Sequence, residues 1–281
     1  MTRAAGEPVH ESAGEPVGEP ERGRDAVEMA ALLAPFEPVA PERTVRYGDH
    51  PAQLVDLHGP GDPSVALLHG GFWREAFDRG HLTPFARALV ARGVSVAVPE
   101  YRRVGGGGGW PATGRDVWAA LDALPGGRPV VLVGHSAGGH LALWAADHPR
   151  VREVVGVAAV SDLARAIELD LGRGATVAFL GGGAAAVDQA VLDAADPARR
   201  PRPPVPVTLV HGAEDGQVPP ELSRRFAERH GAGLESLPGV GHYAHVVPGL
   251  PAGAALLDRL VRAAGPAGTT GAAEAAGAAG G

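Results

Sequence analysis

The stretch RPVVLVGHSAGGHLALWAADH (128–148) decides how this chain is read. Its first half is apolar on successive residues, the pattern of a strand buried on both faces of a parallel sheet. Its second half has the apolar spacing of a helix. Between them lies Ser136, inside Gly134-His135-Ser136-Ala137-Gly138. A strand, a sharp turn and a helix are the setting in which G-x-S-x-G lifts a serine to the top of a sheet as a nucleophile. The glycines remove Cβ atoms where strand and helix crowd each other, and the helix N-terminus favours developing negative charge. With 42 glycines in the chain a chance match is a real alternative. The remainder of the sequence must supply the partners that such a serine needs.

Four more runs resemble that strand: SVALLHG (64–70), VSVAVPEY (94–101), VVGVAAVS (154–161) and VPVTLVHG (205–212). Helix-like stretches at 82–93, 110–124 and 219–231 separate or follow them. TVRYG (44–48) and AQLVDLH (52–58) read as two antiparallel edge strands, LESLPGVGH (234–242) as a last strand and AGAALLDRLVRAA (252–264) as a closing helix. The alternation predicts an α/β fold: a mostly parallel, doubly wound sheet of about eight strands with helices on both faces. Ligands of such sheets gather outside the carboxyl ends of the strands.

There the partners are found. HGGFW (69–73) follows one strand, and Gly70 and Gly71 can offer backbone N–H groups to an oxyanion, with the Ala137 amide as the other donor. An ordinary glycine turn is the alternative. Asp215 follows another strand, in a loop before a helix, where a buried carboxylate can orient an imidazole. A capping role, or Glu214 as the acid, competes with it. His242 follows the last strand as a general base, with His245 nearby. The order Ser136, Asp215, His242, each just past a strand, makes one strong signal from weak ones. Phe72, Trp73, Trp110 and His135 are expected to line the substrate pocket.

These motifs resemble the α/β-hydrolase superfamily over residues 44 to about 264. Within it the chain is similar to the kynurenine formamidase-like and small carboxylesterase branch. HGGFW, PEYRR (99–103), GHSAGGHLA (134–142), GAEDGQVP (212–219) and GVGH (239–242) carry the resemblance. It implies an α/β-hydrolase fold and a triad of Ser136, Asp215 and His242. It also implies oxyanion amides from Gly70, Gly71 and Ala137, and no cofactor. Lids of this fold often sit where residues 162–204 fall; this segment is short and glycine-rich, so a small, partly mobile cap is expected. VGGGGGW (104–110) reads as a second loop near the mouth or as a plain surface loop.

The 281 residues contain 45% hydrophobic residues, suited to one large domain over 25–266. Residues 1–24, with AGEPV at 5 and again at 13, and 267–281 read as disordered tails. The net charge of −7 gives no electrostatic footprint for nucleic acid. All 25 basic residues are arginine. With no cysteine, disulfides and a cysteine nucleophile are excluded, and no ligand cluster implies a metal. Neither a signal peptide nor a membrane span is legible, so a cytoplasmic location is expected. The expected activity is hydrolysis of small carboxylic esters or N-acyl (formyl) amides through an acyl-enzyme. Arylformamidase action on N-formylkynurenine is the alternative by substrate. A non-catalytic binding protein on the same fold is the alternative by class, although no triad residue is lost. A peptidase usually needs an extra domain for which there is no room.

Overall fold

The computed structural model describes residues 19–36, 39–183 and 187–265. Helix α1 (Glu19–Leu32) comes first, followed by strands β1 (Arg43–Arg46), β2 (Leu54–His58) and β3 (Val65–Leu68). Next are α2 (Thr83–Val90), β4 (Val96–Pro99), α3 (Ala112–Asp122), β5 (Val130–His135), α4 (Ala137–Trp144) and β6 (Val151–Val157). Three short helices follow, α5 (Leu163–Glu168), α6 (Ala175–Phe179) and α7 (Gln189–Ala195). The chain then runs through β7 (Val207–Gly212), α8 (Glu221–His230), β8 (Gly233–Leu237) and α9 (Pro251–Ala264).

The strands form one eight-stranded sheet in the order β1-β2-β4-β3-β5-β6-β7-β8. β1 and β2 pair antiparallel, β2 pairs antiparallel with β4, and the ladder from β4 to β8 is parallel. Both faces of the central strands are buried, and side-chain alternation divides them between two cores. Ala66, Leu68, Ala97, Leu132 and Leu209 face one core, with Val117 and Leu121 of α3, Leu141 of α4 and Phe226 of α8. Val65, Leu67, Val96, Val131 and Val210 face the other, with Phe85 and Leu89 of α2 and Leu256, Leu257 and Leu260 of α9. This is why the valine-rich runs show no polar alternation.

The run VVGVAAVS does not extend as a strand to residue 161. Strand β6 stops at Val157 because Ala158 takes a left-handed φ of 46°. Helix α1 begins at Glu19, inside the segment read as tail; residues 1–18 and 266–281 lie outside the described residues. The segment 162–204 is anchored by residues such as Phe179 and Ala195, which are fully buried. The His140 and Trp144 rings donate to the Ala195 and Ala194 carbonyls at 3.0 Å each. The glycine loop 104–110 is also tied down, with the Val104 amide on Trp73 O at 2.8 Å and the Gly106 and Gly108 amides on Arg103 O at 2.9 Å. Among the described residues, no helix is long and apolar enough to cross a membrane.

Candidate active site

Strand β5 delivers Ser136 to the start of α4 with φ 56° and ψ −117°. That backbone costs an L-residue about 1–3 kcal/mol and persists only where its surroundings over-determine it. Here they do. The Ser136 amide donates to Val157 O at 2.9 Å, and its carbonyl accepts from His140 at 3.1 Å and Val160 at 3.2 Å. A Cβ on Gly138 would strike the Leu68 and His69 carbonyls of the neighbouring strand end, so this turn admits no side chain there. Ala137 occupies the first position of α4, where helix geometry leaves its N–H without an intrahelical partner.

The loop after β3 is the second strained element. Gly71, Phe72 and Trp73 all have positive φ, at 106°, 51° and 54°. Trp73 anchors it: the indole is fully buried and stacks on Phe179 with centroids 4.4 Å apart. Below the loop, the Tyr101 hydroxyl donates to His69 O at 2.6 Å, and His69 Nε2 lies 2.9 Å from the Glu100 carboxylate. Glu100 also pairs with Arg103 and accepts the Arg79 amide at 3.0 Å. Burial works against its charge, but His69 and Arg103 pull its carboxyl down to about 2. The left-handed turn sends Phe72 to the cavity beside Ser136 and Trp73 into the core. The expectation that Trp73 lines the pocket is therefore corrected. Trp110 is corrected likewise: it packs on Trp144 and Phe179, at 5.0 and 6.2 Å, where its apolar area is better buried. His135 does line the cavity, its Nε2–H donating to His242 O at 2.9 Å.

Asp215 and His242 meet as a buried pair, Asp215 Oδ2 lying 2.7 Å from His242 Nδ1. Asp215 Oδ1 accepts the Gln217 and Val218 amides at 2.9 and 2.8 Å, and Oδ2 also faces His211 Nε2 at 3.1 Å. Ser223 fixes the far side of His211 at 2.7 Å. Burial alone would raise the Asp215 carboxyl, but His242 and His211 hold it well below the usual carboxylate range. Burial likewise opposes an imidazolium at His242, yet Asp215 outweighs it and the net shift is upward from 6.5. With Nδ1 committed to Asp215, Nε2 is the nitrogen left to handle a proton. Of the two neighbours from sequence, Glu214 is occupied elsewhere and His245 is buried. Glu214 binds Arg24 at 2.8 Å and the Gly239 amide at 3.0 Å. Burial pushes His245 down to about 3.

Ser136, His242, Gly70, Gly71 and His135 share a cavity of about 70 Å³. Its apolar wall is Phe72 together with Met29 and Leu32 of α1 and Leu33 just past it. No described residue of 162–204 lines it, whereas Met29 and Leu32 of α1 do. Among the described residues, the Ser136 hydroxyl makes no hydrogen bond to His242. A larger cleft of about 560 Å³ between β8 and α9 holds none of these groups. Three features were missed from sequence. His211 is a strand-end histidine four residues before Asp215. Asp25 and Glu28 lie with Met29 and Leu32 on one face of α1, at helical spacing i, i+3, i+4 and i+7.

A family model described as "Alpha/beta hydrolase family" matches residues 65–254. The chain belongs to the alpha/beta hydrolase family. A curated relative in Oryza sativa subsp. japonica, named "Probable isoprenylcysteine alpha-carbonyl methylesterase", is 32% identical over 127 residues. That alignment covers 40% of this chain and 29% of the relative, so the chain spans less than a third of that protein's length. Among solved structures, esterase B of Lactobacillus rhamnosis superposes with a TM-score of 0.67 at 20% identity, covering 86% of this chain and 91% of the esterase. Carboxyl esterase 2 of Tuber melanosporum superposes at 0.64 and 17% identity, covering 88% of this chain and 98% of that one. At these identities the structures speak to the hydrolase fold.

Proposed function

We propose that this alpha/beta hydrolase is a serine esterase of small, short-acyl carboxylic esters. The observation that carries the reading is the buried His242–Asp215 pair at 2.7 Å, opening on the same cavity as Ser136 at its strained turn. On substrate binding the Ser136–His242 hydrogen bond closes, as such contacts often do only in the substrate complex. Ser136 Oγ attacks the acyl carbon and His242 Nε2 takes its proton. The Ala137, Gly70 and Gly71 amides receive the oxyanion. His242 then protonates the leaving alkoxide, and water, deprotonated by the same imidazole, releases the acid. The methylesterase relative favours an ester over an amide. A formyl group is the smallest acyl group the cavity would hold, so aryl formamides such as N-formylkynurenine form the second reading.

Phe72 narrows the cavity of about 70 Å³ beside Ser136, which favours a small acyl group. Across p-nitrophenyl esters from acetyl to decanoyl, kcat/KM is expected to peak at acetyl or propionyl and fall with chain length. Phe72→Gly is expected to move the optimum to longer chains, since the ring forms the wall. A peak at octanoyl or decanoyl in the unmodified enzyme contradicts the short-acyl assignment.

The pH profile checks the base. His242 must be neutral to accept the serine proton, and its imidazolium is stabilised beyond the ordinary 6.5. The acid limb of kcat/KM is therefore expected to have its midpoint above pH 6.5. A rate that stays flat down to about pH 5 removes His242 from the role of base.

A further inference from the structure

Five backbone amides of the two loops that carry Asp215 and His242 end on two carboxylates of α1. Asp25 accepts the His242 amide on Oδ1 at 2.8 Å and the Gly216 amide on Oδ2 at 3.0 Å. Glu28, one turn later, accepts the Gly241 amide at 2.8 Å and the Tyr243 and Ala244 amides at 3.0 Å each. Both side chains are buried, at 2% and 6% exposure. Among the described residues, neither pairs with an arginine. Gly241 is shaped around them: a Cβ there would strike the Asp25 carboxylate and press on that of Glu28.

Two buried carboxylates without a basic partner are costly, and here their charge is set on the very loop that carries His242. What lies beside them is the one ring that becomes a cation during catalysis. We propose that Asp25 and Glu28 are positioning residues: they hold the His242 and Asp215 loops in register, and they keep fixed negative charge next to the His242 ring as it takes the serine proton. The proposal rests on the triad reading above. It makes α1 part of the working site, since Met29 and Leu32 of the same helix wall the cavity.

The charged and titratable groups around His242 are Asp215 from the loop after β7, Asp25 and Glu28 from α1, His135 from β5 and Tyr243 beside it. His211 and His245 lie one layer further out, against Asp215 and the His242 ring's surroundings. Burial disfavours the imidazolium; Asp215 first, then Asp25 and Glu28, favour it. Each Asp25 oxygen faces an N–H, the arrangement that suits a carboxylate acceptor. Neutralising one of the two therefore weakens the imidazolium. The acid limb moves to lower pH, and the plateau kcat falls because the same charge stabilises the transition state.

The test uses the full chain with Asp25→Asn, Glu28→Gln and, as a control, Arg24→Ala. Arg24 ties α1 to the same two loops, through Glu214 and Gly239 O, but brings no negative charge to the His242 ring. Three properties are measured: the pH profile of p-nitrophenyl acetate hydrolysis, the melting temperature, and the NMR titration of the His242 ring. For Asp25→Asn the plateau kcat is expected to fall about tenfold with KM within about twofold. The acid limb and the ring titration both move to lower pH, while Arg24→Ala leaves both in place. Glu28→Gln gives the same signs, and decides alone if Asp25→Asn does not fold. A lower melting temperature with an unmoved limb and ring titration marks a merely structural tie and overturns the proposal. Should the unmodified protein hydrolyse no ester, the triad reading fails by itself. The ring titration then still decides, an unmoved His242 counting against the carboxylates.

Discussion

Ser136→Ala is expected to lose on the order of 10⁶ in kcat, because the members of a triad act as a unit and removal of the nucleophile leaves only binding and oxyanion contacts. The substitution deletes one oxygen and nothing else. The backbone at 136 is held by its own amide and carbonyl bonds to Val157, His140 and Val160. Fold and melting temperature should therefore stay close to those of the parent, which separates chemistry from collapse. Single-turnover and steady-state assays on a short p-nitrophenyl ester read the effect directly. A variant that keeps even a tenth of the parental rate excludes attack by Ser136.

Asp215→Asn is expected to cost roughly 10⁴ in kcat with little change in KM, and the structure gives the reason at the level of single atoms. Oδ1 accepts two amides, from Gln217 and Val218, so the amide oxygen of an asparagine must take that place. Its NH₂ is then forced into the Oδ2 position, facing His242 Nδ1 and His211 Nε2. A donor against Nδ1 drives the His242 proton to Nε2, the tautomer that cannot accept from serine. Nitrogen NMR of the His242 ring should show that switch, and steady-state kinetics the loss. A loss under about tenfold would mean that Asp215 does not orient the base.

The parts of this site that were legible in sequence share one property: each follows a strand. GHSAGG, HGGFW and AED sit where a buried parallel strand ends and GVGH after the exposed edge strand β8, and glycine or an ionisable side chain at such a point stands out locally. The opposite holds for α1. Its contribution to the site is two acids whose partners are more than 190 residues away, and periodicity arguments weigh apolar residues, not buried carboxylates. The repeated AGEPV just before it also makes the whole N-terminus read as solvated. Trp73 failed for a different reason. Composition says that an aromatic next to two glycines lies near the site; only the run of left-handed φ values decides that Phe72 faces the cavity and Trp73 the core. A glycine-rich stretch such as 162–204 looks loose between strands, whereas Phe179 and Ala195 within it are buried against Trp73 and α4.

The covalent role of Ser136 is tested most directly by treating the full-length protein with a fluorophosphonate and locating the adduct by peptide mass spectrometry. The expected result is one modification, on Ser136, abolished in Ser136→Ala and strongly slowed in His242→Gln. Labelling of a different residue, or an adduct that survives in Ser136→Ala, contradicts the assignment of Ser136 as the nucleophile.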